Sequence, residues 1–391
     1  MTLAADAFAL AFGALSADQA FALREDGRAR HFKGEDPARF GRLLSIADLD
    51  AFLRTDGAQV PRVSLADSGR NGSAGVPDDE FTYSDGKVDP SRLFPLFDGG
   101  ATLVVSQFHE LHRPLADFCR GLEKLFLHAV QANIYLTPPG AQGFRTHFDT
   151  HDVLVLQVSG AKRWRVWDDA IVPNATRQTR WDAKLHRHDP AGGKEVILNA
   201  GDVLYVPRGV LHDASVQEGG EPSLHATIGL LEPSWADALR AAIDQMEARD
   251  AGLRRSFRTW RIGDETVRAG LVQAARDRLS AIASEEAMDL VAMQFLQQLA
   301  SDRMPMAARG LVTPAPGPED MLVLADAVHH HVVPVGDGAE LRWAGEAERL
   351  TSVELGWLER LSEGATPSSL GGEAALAFCR RLAKVGLLEF R

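Results

Sequence analysis

Two side chains in the middle of the chain, His147 and Asp149, have the types and the spacing of metal ligands. They stand two positions apart in the segment RTHFD, and residues two apart in a β-strand point to the same face of the sheet. One strand can therefore offer an imidazole and a carboxylate to the same cation. The pair alone is weak support for a metal site, because a chain with 13 histidines contains about one such pair by chance.

A third ligand is predicted further along the chain, at His212. It ends the segment GDVLYVPRGVLH, whose residues predict a turn at 201–202, a strand at 203–206, a tight bend at 207–209 and a returning strand. Two imidazoles and one carboxylate form the facial triad of non-haem Fe(II) oxygenases, which leaves three coordination positions open. Each histidine taken alone is more often a packed or surface residue, but the two flanking patterns together favour the metal site.

The rest of the donor set narrows the metal chemistry. Cupins that bind other metals commonly add a fourth ligand, a glutamate, and this motif has no matching glutamate nearby. The retained carboxylate of Asp149 argues against a halogenase, which needs that coordination position free for a halide. Iron held by three protein ligands is the better fit.

Composition and charge exclude several classes of protein. The chain has 391 residues and a formal net charge of −12, which predicts two or three domains and disfavours binding to phosphate backbones, while it suits a basic protein partner. The only cysteines, Cys119 and Cys379, are too far apart in sequence to predict structural zinc or a disulfide framework. No apolar run is long enough for a membrane span. The first residues lack the basic segment of a signal peptide, so we expect a cytoplasmic protein.

The hydrophobic pattern predicts four regions. Residues 1–97 mix short helical patterns with loops and are predicted to form an α/β extension that packs on the following domain. Residues 98–232 carry short β-branched runs separated by turn residues, with one helix at about 114–126, which predicts a barrel or sandwich. Residues 233–311 are predicted to be helical, beginning at the N-cap Ser234. The apolar stripe of the block at about 264–303 predicts dimerisation, with simple docking onto the barrel as the alternative. Residues 312–391 begin with a Pro-rich linker at 312–319 and are typical of a winged-helix-like module. Its 7 basic and 11 acidic residues from position 320 onward argue against DNA binding.

The segment NIYLTPPGAQGFRTHFDTHDVLVLQVSGAKRWRVW, residues 133–167, closely resembles the ribosomal oxygenases of the JmjC class. GDVLYVPRGVLH and SLHATIG continue the match in order and at fitting distances. The resemblance implies an α+β chain in which a double-stranded β-helix, the cupin or JmjC barrel, precedes a helical domain and a winged-helix-like domain. It also implies Fe(II) and 2-oxoglutarate as cofactor and cosubstrate, with O2. Family members hydroxylate a histidine or an arginine side chain of a ribosomal protein.

The resemblance assigns roles to eight residues, each at a position that matches the family's motifs. The iron ligands it implies are His147, Asp149 and His212; the cosubstrate residues are Lys162, Thr227 and Asn133; and the substrate residues are Tyr135 and Gly229. Apart from the metal ligands, it implies no catalytic residue. The alternative for the polar residues is that they only form hydrogen bonds within the barrel. We expect His225 to be structural and not a fourth metal ligand.

Lys162 has support from the residues themselves. In a strand it shares a face with Trp164 and Val166 and not with the two neighbouring arginines, which predicts that it points inward. A buried ammonium is costly unless it is paired, and the resemblance supplies the partner, the distal carboxylate of 2-oxoglutarate. The alternative is a solvated lysine in the turn SGAKRW.

Two departures from the family leave the substrate open. Lys162 is similar to the animal branch that hydroxylates histidine, whereas the bacterial branch that hydroxylates arginine has arginine there. Gly229 stands where the histidine hydroxylases have a serine that contacts the substrate. The sequence therefore predicts an oxygenase that hydroxylates a protein, with a ribosomal protein as the expected partner. A hydroxylase of a peptide natural product or small molecule, a demethylase of an N-methyl group and a non-enzymatic cupin binding module stay open as alternatives.

Overall fold

The computed structural model describes residues 2–13, 15–70, 75–182, 184–257, 263–301, 310–336 and 338–391. The chain divides into two compact units, Met1–Glu232 and Pro233–Arg391. The finer division into four domains stays a prediction. Every helix within the described residues is too short or too polar to cross a membrane.

Within the described residues, the first unit contains ten strands and five α-helices. The strands are β1 (Arg30–Phe32), β2 (Val63–Ala66), β3 (Thr102–Val105), β4 (Val130–Thr137), β5 (Asp152–Ser159), β6 (Ala161–Ala170), β7 (Lys194–Asn199), β8 (Val203–Val206), β9 (Val210–Ser215) and β10 (Ser223–Leu230). The helices are α1 (Leu3–Phe12), α2 (Ala17–Asp26), α3 (Ile46–Leu53), α4 (Pro90–Asp98) and α5 (Arg113–Phe126), and short 3-10 turns cover Asp78–Glu80 and Phe108–Glu110.

The ten strands form two antiparallel sheets, as expected for the predicted barrel or sandwich. The larger sheet has the order β1-β8-β5-β10-β4-β3-β2, and the smaller one has the order β7-β6-β9. The N-terminal extension contributes β1 and β2, which become the two edge strands of the larger sheet. Every residue of β10 is buried, because this central strand is covered on both faces.

Two apolar layers hold this unit together. One layer packs the larger sheet against α1 and α5, with Leu115, Leu122 and Ile134 fully buried in it. The other layer fills the space between the two sheets and includes Val155 and Trp164. Strand β6 alternates between buried and more exposed residues, and Lys162, Trp164 and Val166 form its buried face. The predicted inward orientation of Lys162 is therefore the one observed.

The part of the second unit that the structure describes contains six helices and five strands. The helices are α6 (Trp235–Arg249), α7 (Glu265–Ile282), α8 (Glu285–Ser301), α9 (Ser352–Glu363), α10 (Pro367–Leu370) and α11 (Glu373–Lys384). The strands are β11 (Leu322–Leu324), β12 (His330–Val335), β13 (Gly338–Trp343), β14 (Glu346–Leu350) and β15 (Leu388–Phe390).

The start of the second unit follows the predicted signals. Ser234 caps α6 through a reciprocal capping box with Asp237, which satisfies two backbone N–H groups that the first helical turn leaves free. Helices α6, α7 and α8 share a small apolar core that contains Ala242, Ile282 and Val291. Residues 258–262 and 302–309, which the predicted helical region includes, lie outside the described residues.

Candidate metal centre

The three predicted metal ligands lie together in the structure. One ligand atom from each of His147, Asp149 and His212 lies within 4.8 Å of the other two. His212 belongs to β9, whereas His147 and Asp149 lie in the extended segment that precedes β5. The prediction of a regular strand at 145–149 is wrong, since only His147 forms a bridge, with His212.

Successive side chains still point to opposite sides in this irregular segment. Phe148 is only 5% exposed and packs into an apolar cluster with Trp167 and Leu211. Its burial turns the flanking His147 and Asp149 toward the opposite side. The expected shared face is therefore produced by an anchored aromatic side chain instead of by a ladder of strand hydrogen bonds.

Hydrogen bonds set the tautomer of both imidazoles. The Nδ1 atom of His147 lies 2.8 Å from the carbonyl oxygen of Arg145, and that of His212 lies 3.0 Å from the carbonyl oxygen of Val210. A carbonyl oxygen can only accept, so each Nδ1 carries the hydrogen and each Nε2 keeps its lone pair. Burial, and then the proximity of His147, lower the pKa of His212 to about 4. The ring is therefore a neutral donor at physiological pH, as a metal ligand must be.

The bend before β9 depends on a glycine. Gly209 has a φ of +81°, and a Cβ there would lie 1.9 Å from the carbonyl oxygen of Val172. Its N–H donates to the carbonyl oxygen of Asp149 at 2.9 Å. The bend therefore fixes the ligand segment as well as the start of β9.

The ligands open into a cavity of about 300 Å³. Six of the eight predicted site residues line it: His147, Asp149, His212, Lys162, Thr227 and Tyr135. Asn133 and Gly229 are not among its lining residues. Burial, and then the charge of Asp149, raise the pKa of Tyr135, so its phenol stays protonated and can donate a hydrogen bond.

Lys162 is a buried cation with a single described partner. Only 4% of the residue is exposed, and Nζ donates to Oγ1 of Thr137 at 2.8 Å. Thr102 extends this contact, with its Oγ1 at 3.1 Å from that of Thr137. Burial lowers the pKa of Lys162 to about 7. Among the residues that the structure describes, no carboxylate pairs with this ammonium, so the cavity can accept an anion there.

The two remaining predicted residues lie at the edge of this arrangement. The side-chain oxygen of Asn133 accepts a hydrogen bond from the backbone N–H of Gln107 at 2.9 Å. Gln107 has a positive φ of 52°, so Asn133 supports a loop in which this residue is left-handed. Gly229 lies beneath His151, because a Cβ at this position would come within 2.7 Å of the imidazole Cδ2 and Nε2 atoms. The missing side chain therefore makes room for this histidine.

Several cavity residues were not predicted as site residues. Thr102 and Asp213, which line the cavity, and Thr137, the hydrogen-bond partner of Lys162, gave no motif signal, since their roles depend on strand pairing. Asp213 accepts hydrogen bonds from Oγ1 of Thr146 and from Nη2 of Arg165, both at 2.7 Å. Trp164 and His225 share strand faces with Lys162 and Thr227, so period-two alternation could have pointed to them.

Comparison with known proteins identifies the region that carries this site. Residues 104–238 match the JmjC domain family. The chain is 28% identical over 284 residues to the bifunctional lysine-specific demethylase and histidyl-hydroxylase NO66 of Culex quinquefasciatus, covering 69% of this chain and 43% of the relative. It is 32% identical over 213 residues to ribosomal oxygenase 1 of Gallus gallus, covering 52% and 33%. The chain thus spans less than half the length of these curated relatives.

Solved structures with the same architecture cover almost the whole chain. The structure of YcfD, a ribosomal oxygenase from Escherichia coli, matches with a TM-score of 0.55 at 18% identity, over 97% of this chain and 98% of that one. YcfD in complex with cobalt and 2-oxoglutarate matches with a TM-score of 0.54 at 19% identity, over 95% and 97%. At this identity the likeness shows the fold alone, which is the mixed α and β fold of the JmjC/cupin type.

Proposed function

We infer that the chain belongs to the JmjC ribosomal oxygenase family within the cupin superfamily, and from this premise we propose that it is an Fe(II)- and 2-oxoglutarate-dependent oxygenase that hydroxylates a protein side chain. One observation carries the proposal: the cavity that contains the cluster of His147, Asp149 and His212 also contains the buried ammonium of Lys162. A divalent metal and a dicarboxylate are the ligands that such a pair of sites accepts together.

The residues of the cavity have the chemistry that Fe(II) and 2-oxoglutarate require. Neutral Nε2 atoms from two imidazoles and one carboxylate would hold Fe(II) and leave positions open. Lys162 and Thr227 would hold a carboxylate of 2-oxoglutarate, and Asn133 would support this wall of the cavity. When bound, the iron and the cosubstrate supply the activation of O2 and the oxidation of a C–H bond. The part of the protein is to orient both groups, to present the substrate and to keep water out.

The proposed substrate is a histidine or arginine side chain of a ribosomal protein. The names of the relatives, which include ribosomal oxygenase and histidyl-hydroxylase, support this class. The net charge of −12 supports it independently, because an acidic enzyme attracts the basic proteins of the ribosome. Tyr135 and Gly229 are the proposed substrate-side residues. The cytoplasm, where ribosomal proteins are made, is the proposed location.

We further propose that the chain forms a homodimer through its helical region. Trp235, Leu239 and Ile243 lie at four-residue spacing along α6, which places them on one face, and Trp235 is 79% exposed. An apolar stripe of this kind supports an interface with a second copy. The region from 312 onward, with its three-stranded sheet β12-β13-β14 and helices α9 to α11, is proposed as a winged-helix-like module that does not bind DNA.

A direct test is mass spectrometry of intact ribosomal proteins from the source strain and from a strain that lacks this gene. We expect one ribosomal protein to lose the mass of a single oxygen atom in the deletion strain, and complementation to restore it. Complementation with His212→Ala should not. A gain of methyl groups on lysine in the deletion strain would point to demethylation instead. Unchanged masses for every ribosomal protein would contradict the proposed substrate class.

A further inference from the structure

Two buried nitrogen atoms in the wall of the metal cavity lack a hydrogen-bond partner among the described residues. They are Nδ1 of His225, in β10, and Nε1 of Trp164, in β6. The two residues are 3% and 5% exposed, and both line the cavity. A buried polar group without a partner costs free energy, so an unpaired pair in a single cavity indicates that a ligand completes their hydrogen bonding.

Packing holds both rings in place. The indole of Trp164 meets the imidazole of His225 edge to face, with ring centroids 5.6 Å apart and an interplanar angle of 82°. Tyr135 stacks on His225 at 4.8 Å and 5°. Since β6 and β10 belong to different sheets, this contact joins the two walls of the cavity. Neither ring can turn to find another partner without losing these contacts.

The two rings lie close to the metal ligands and to the buried ammonium. The ring centroid of Trp164 is 6.0 Å from that of His212, and Trp164 shares its strand face with Lys162. His225 is close enough to Lys162 for the ammonium, after burial, to lower its pKa well below the ordinary value. A molecule that fills the cavity from the metal ligands to Lys162 would therefore lie beside both rings.

The chemistry of the two atoms selects an anionic partner. An indole N–H can only donate. A neutral imidazole carries one N–H, and a carboxylate beside Lys162 favours the tautomer that donates from Nδ1. A carboxylate offers about four lone pairs on two oxygens, enough to accept from Lys162 and from both rings.

We propose that Trp164 and His225 are cosubstrate-binding residues, which donate hydrogen bonds from Nε1 and Nδ1 to the dicarboxylate that bridges the metal and Lys162. This inference rests on the proposed function. It adds a recognition element that spans both sheets, so that binding of the dicarboxylate also fixes the distance between the two walls of the cavity.

The test measures binding of 2-oxoglutarate to the full chain loaded with Mn(II), by calorimetry and without turnover. Trp164→Phe keeps the ring and removes the N–H, and His225→Leu removes the imidazole nitrogen atoms. Each change is expected to raise the Kd for 2-oxoglutarate by about 10-fold or more, the usual effect of losing a hydrogen bond to a charged group. The Kd for Mn(II) should stay the same. His225→Gln, which keeps a donor, should recover part of the affinity.

A matched control is available on the same strand. Trp167 is also buried, but its Nε1 donates to the carbonyl oxygen of Asp189 at 3.0 Å, and it does not line the cavity. Trp167→Phe should leave the Kd for 2-oxoglutarate unchanged. In NMR spectra, the indole N–H resonance that is lost in Trp164→Phe should shift when 2-oxoglutarate is added to the parent protein, whereas that of Trp167 should not.

The possible results separate this inference from the proposed function. If the parent protein binds 2-oxoglutarate and both folded variants bind it equally well, the unpaired atoms bind only water or have only a packing role. The inference is then wrong, while the proposed function stands. If the metal-loaded parent protein binds no 2-oxoglutarate, both are wrong. A variant counts as folded when its thermal unfolding and its Mn(II) affinity match those of the parent protein.

Discussion

The backbones of His147 and His212 exchange two hydrogen bonds, although 64 residues separate them in the sequence. The N–H of His147 donates to the carbonyl oxygen of His212 at 3.1 Å, and the N–H of His212 donates back at 2.8 Å. This isolated bridge holds the two imidazole centroids 4.5 Å apart. The ligand pair is therefore positioned by the backbone itself, which lowers the conformational cost of binding a metal.

Removal of either histidine should abolish specific metal binding. His147→Ala and His212→Ala each leave two ligands in a site that needs three, so the affinity for Co(II) should fall by about 100-fold or more, beyond the effect usual for residues that only support a ligand. Titration followed by the visible absorption of Co(II) measures this. His331→Ala, which removes a half-buried histidine of the second unit, should bind Co(II) like the parent protein. Tight binding by His212→Ala would contradict the assignment.

Asp213 should affect the metal without binding it. Its carboxylate links Thr146 and Arg165, next to the ligands His147 and His212. Asp213→Asn weakens this link, and metal affinity should fall by roughly 10-fold, as is usual for groups that support a metal ligand. The control is Glu195→Gln, which alters the exposed ion pair with Arg163. Equal affinities in the two variants would show that Asp213 does not orient the ligands.

Binding of 2-oxoglutarate should weaken as the pH rises above about 7. Burial lowers the pKa of Lys162 to about 7, and a bound carboxylate favours the ammonium and so raises this pKa in the complex. Below the pKa of the free protein, Lys162 is already charged. Between this pKa and the higher pKa of the complex, each binding event must take up a proton. The Kd should therefore rise by about 10-fold per pH unit in that range. Calorimetry at about pH 6 and about pH 9 measures the difference. Lys162→Arg should flatten the dependence, because guanidinium stays charged.

A side chain at position 229 should displace His151. In Gly229→Ala the new Cβ would lie 2.7 Å from the imidazole, while Gln131 is 3.1 Å away. The ring can rotate, so we expect folding and 2-oxoglutarate binding to persist while the KM for the protein substrate changes by about 10-fold, the scale set by one methyl group in a pocket. Adding His151→Ala should cancel part of this effect in a double-mutant cycle. Additive effects would mean that the two positions act independently.

The exposed face of α6 should control the oligomeric state. Leu239→Glu places a charge between Trp235 and Ile243, and a charge buried without a partner at an interface is strongly unfavourable. Sedimentation equilibrium should therefore give a dimer for the parent protein and a monomer for this variant. Asp244→Ala, which changes an exposed residue of the same helix, should remain dimeric. A monomeric parent protein would contradict the proposed interface.

Much of the architecture can be predicted from local patterns. The turn and bend residues around Val203–Val206 predict β8, and Ser234 marks the residue that caps α6. The inward orientation of Lys162 is predicted because Lys162 shares a strand face with Trp164 and Val166. These features depend on neighbouring residues in the chain, whose side-chain directions follow from the periods of strand and helix.

The exact surroundings of the site residues cannot be predicted in this way. The parity argument for His147 and Asp149 assumed a strand, whereas the shared face comes from the buried side chain of Phe148. Asn133 supports the backbone of Gln107, and the space above Gly229 is filled by His151. Such contacts depend on the packing of segments far apart in sequence, which local patterns do not specify.

The sequence by itself determined the types and spacing of three metal ligands, the inward orientation of Lys162, and the strand-rich character of residues 98–232. Only the tertiary structure decided that the backbone of His147 pairs with that of His212, that Thr137 is the partner of Lys162, and that Trp164 and His225 face each other with unpaired nitrogen atoms. The physical reason is the pairing of strands. Register and the meeting of two sheets place residues from distant segments within hydrogen-bond distance, and no residue encodes its partner alone.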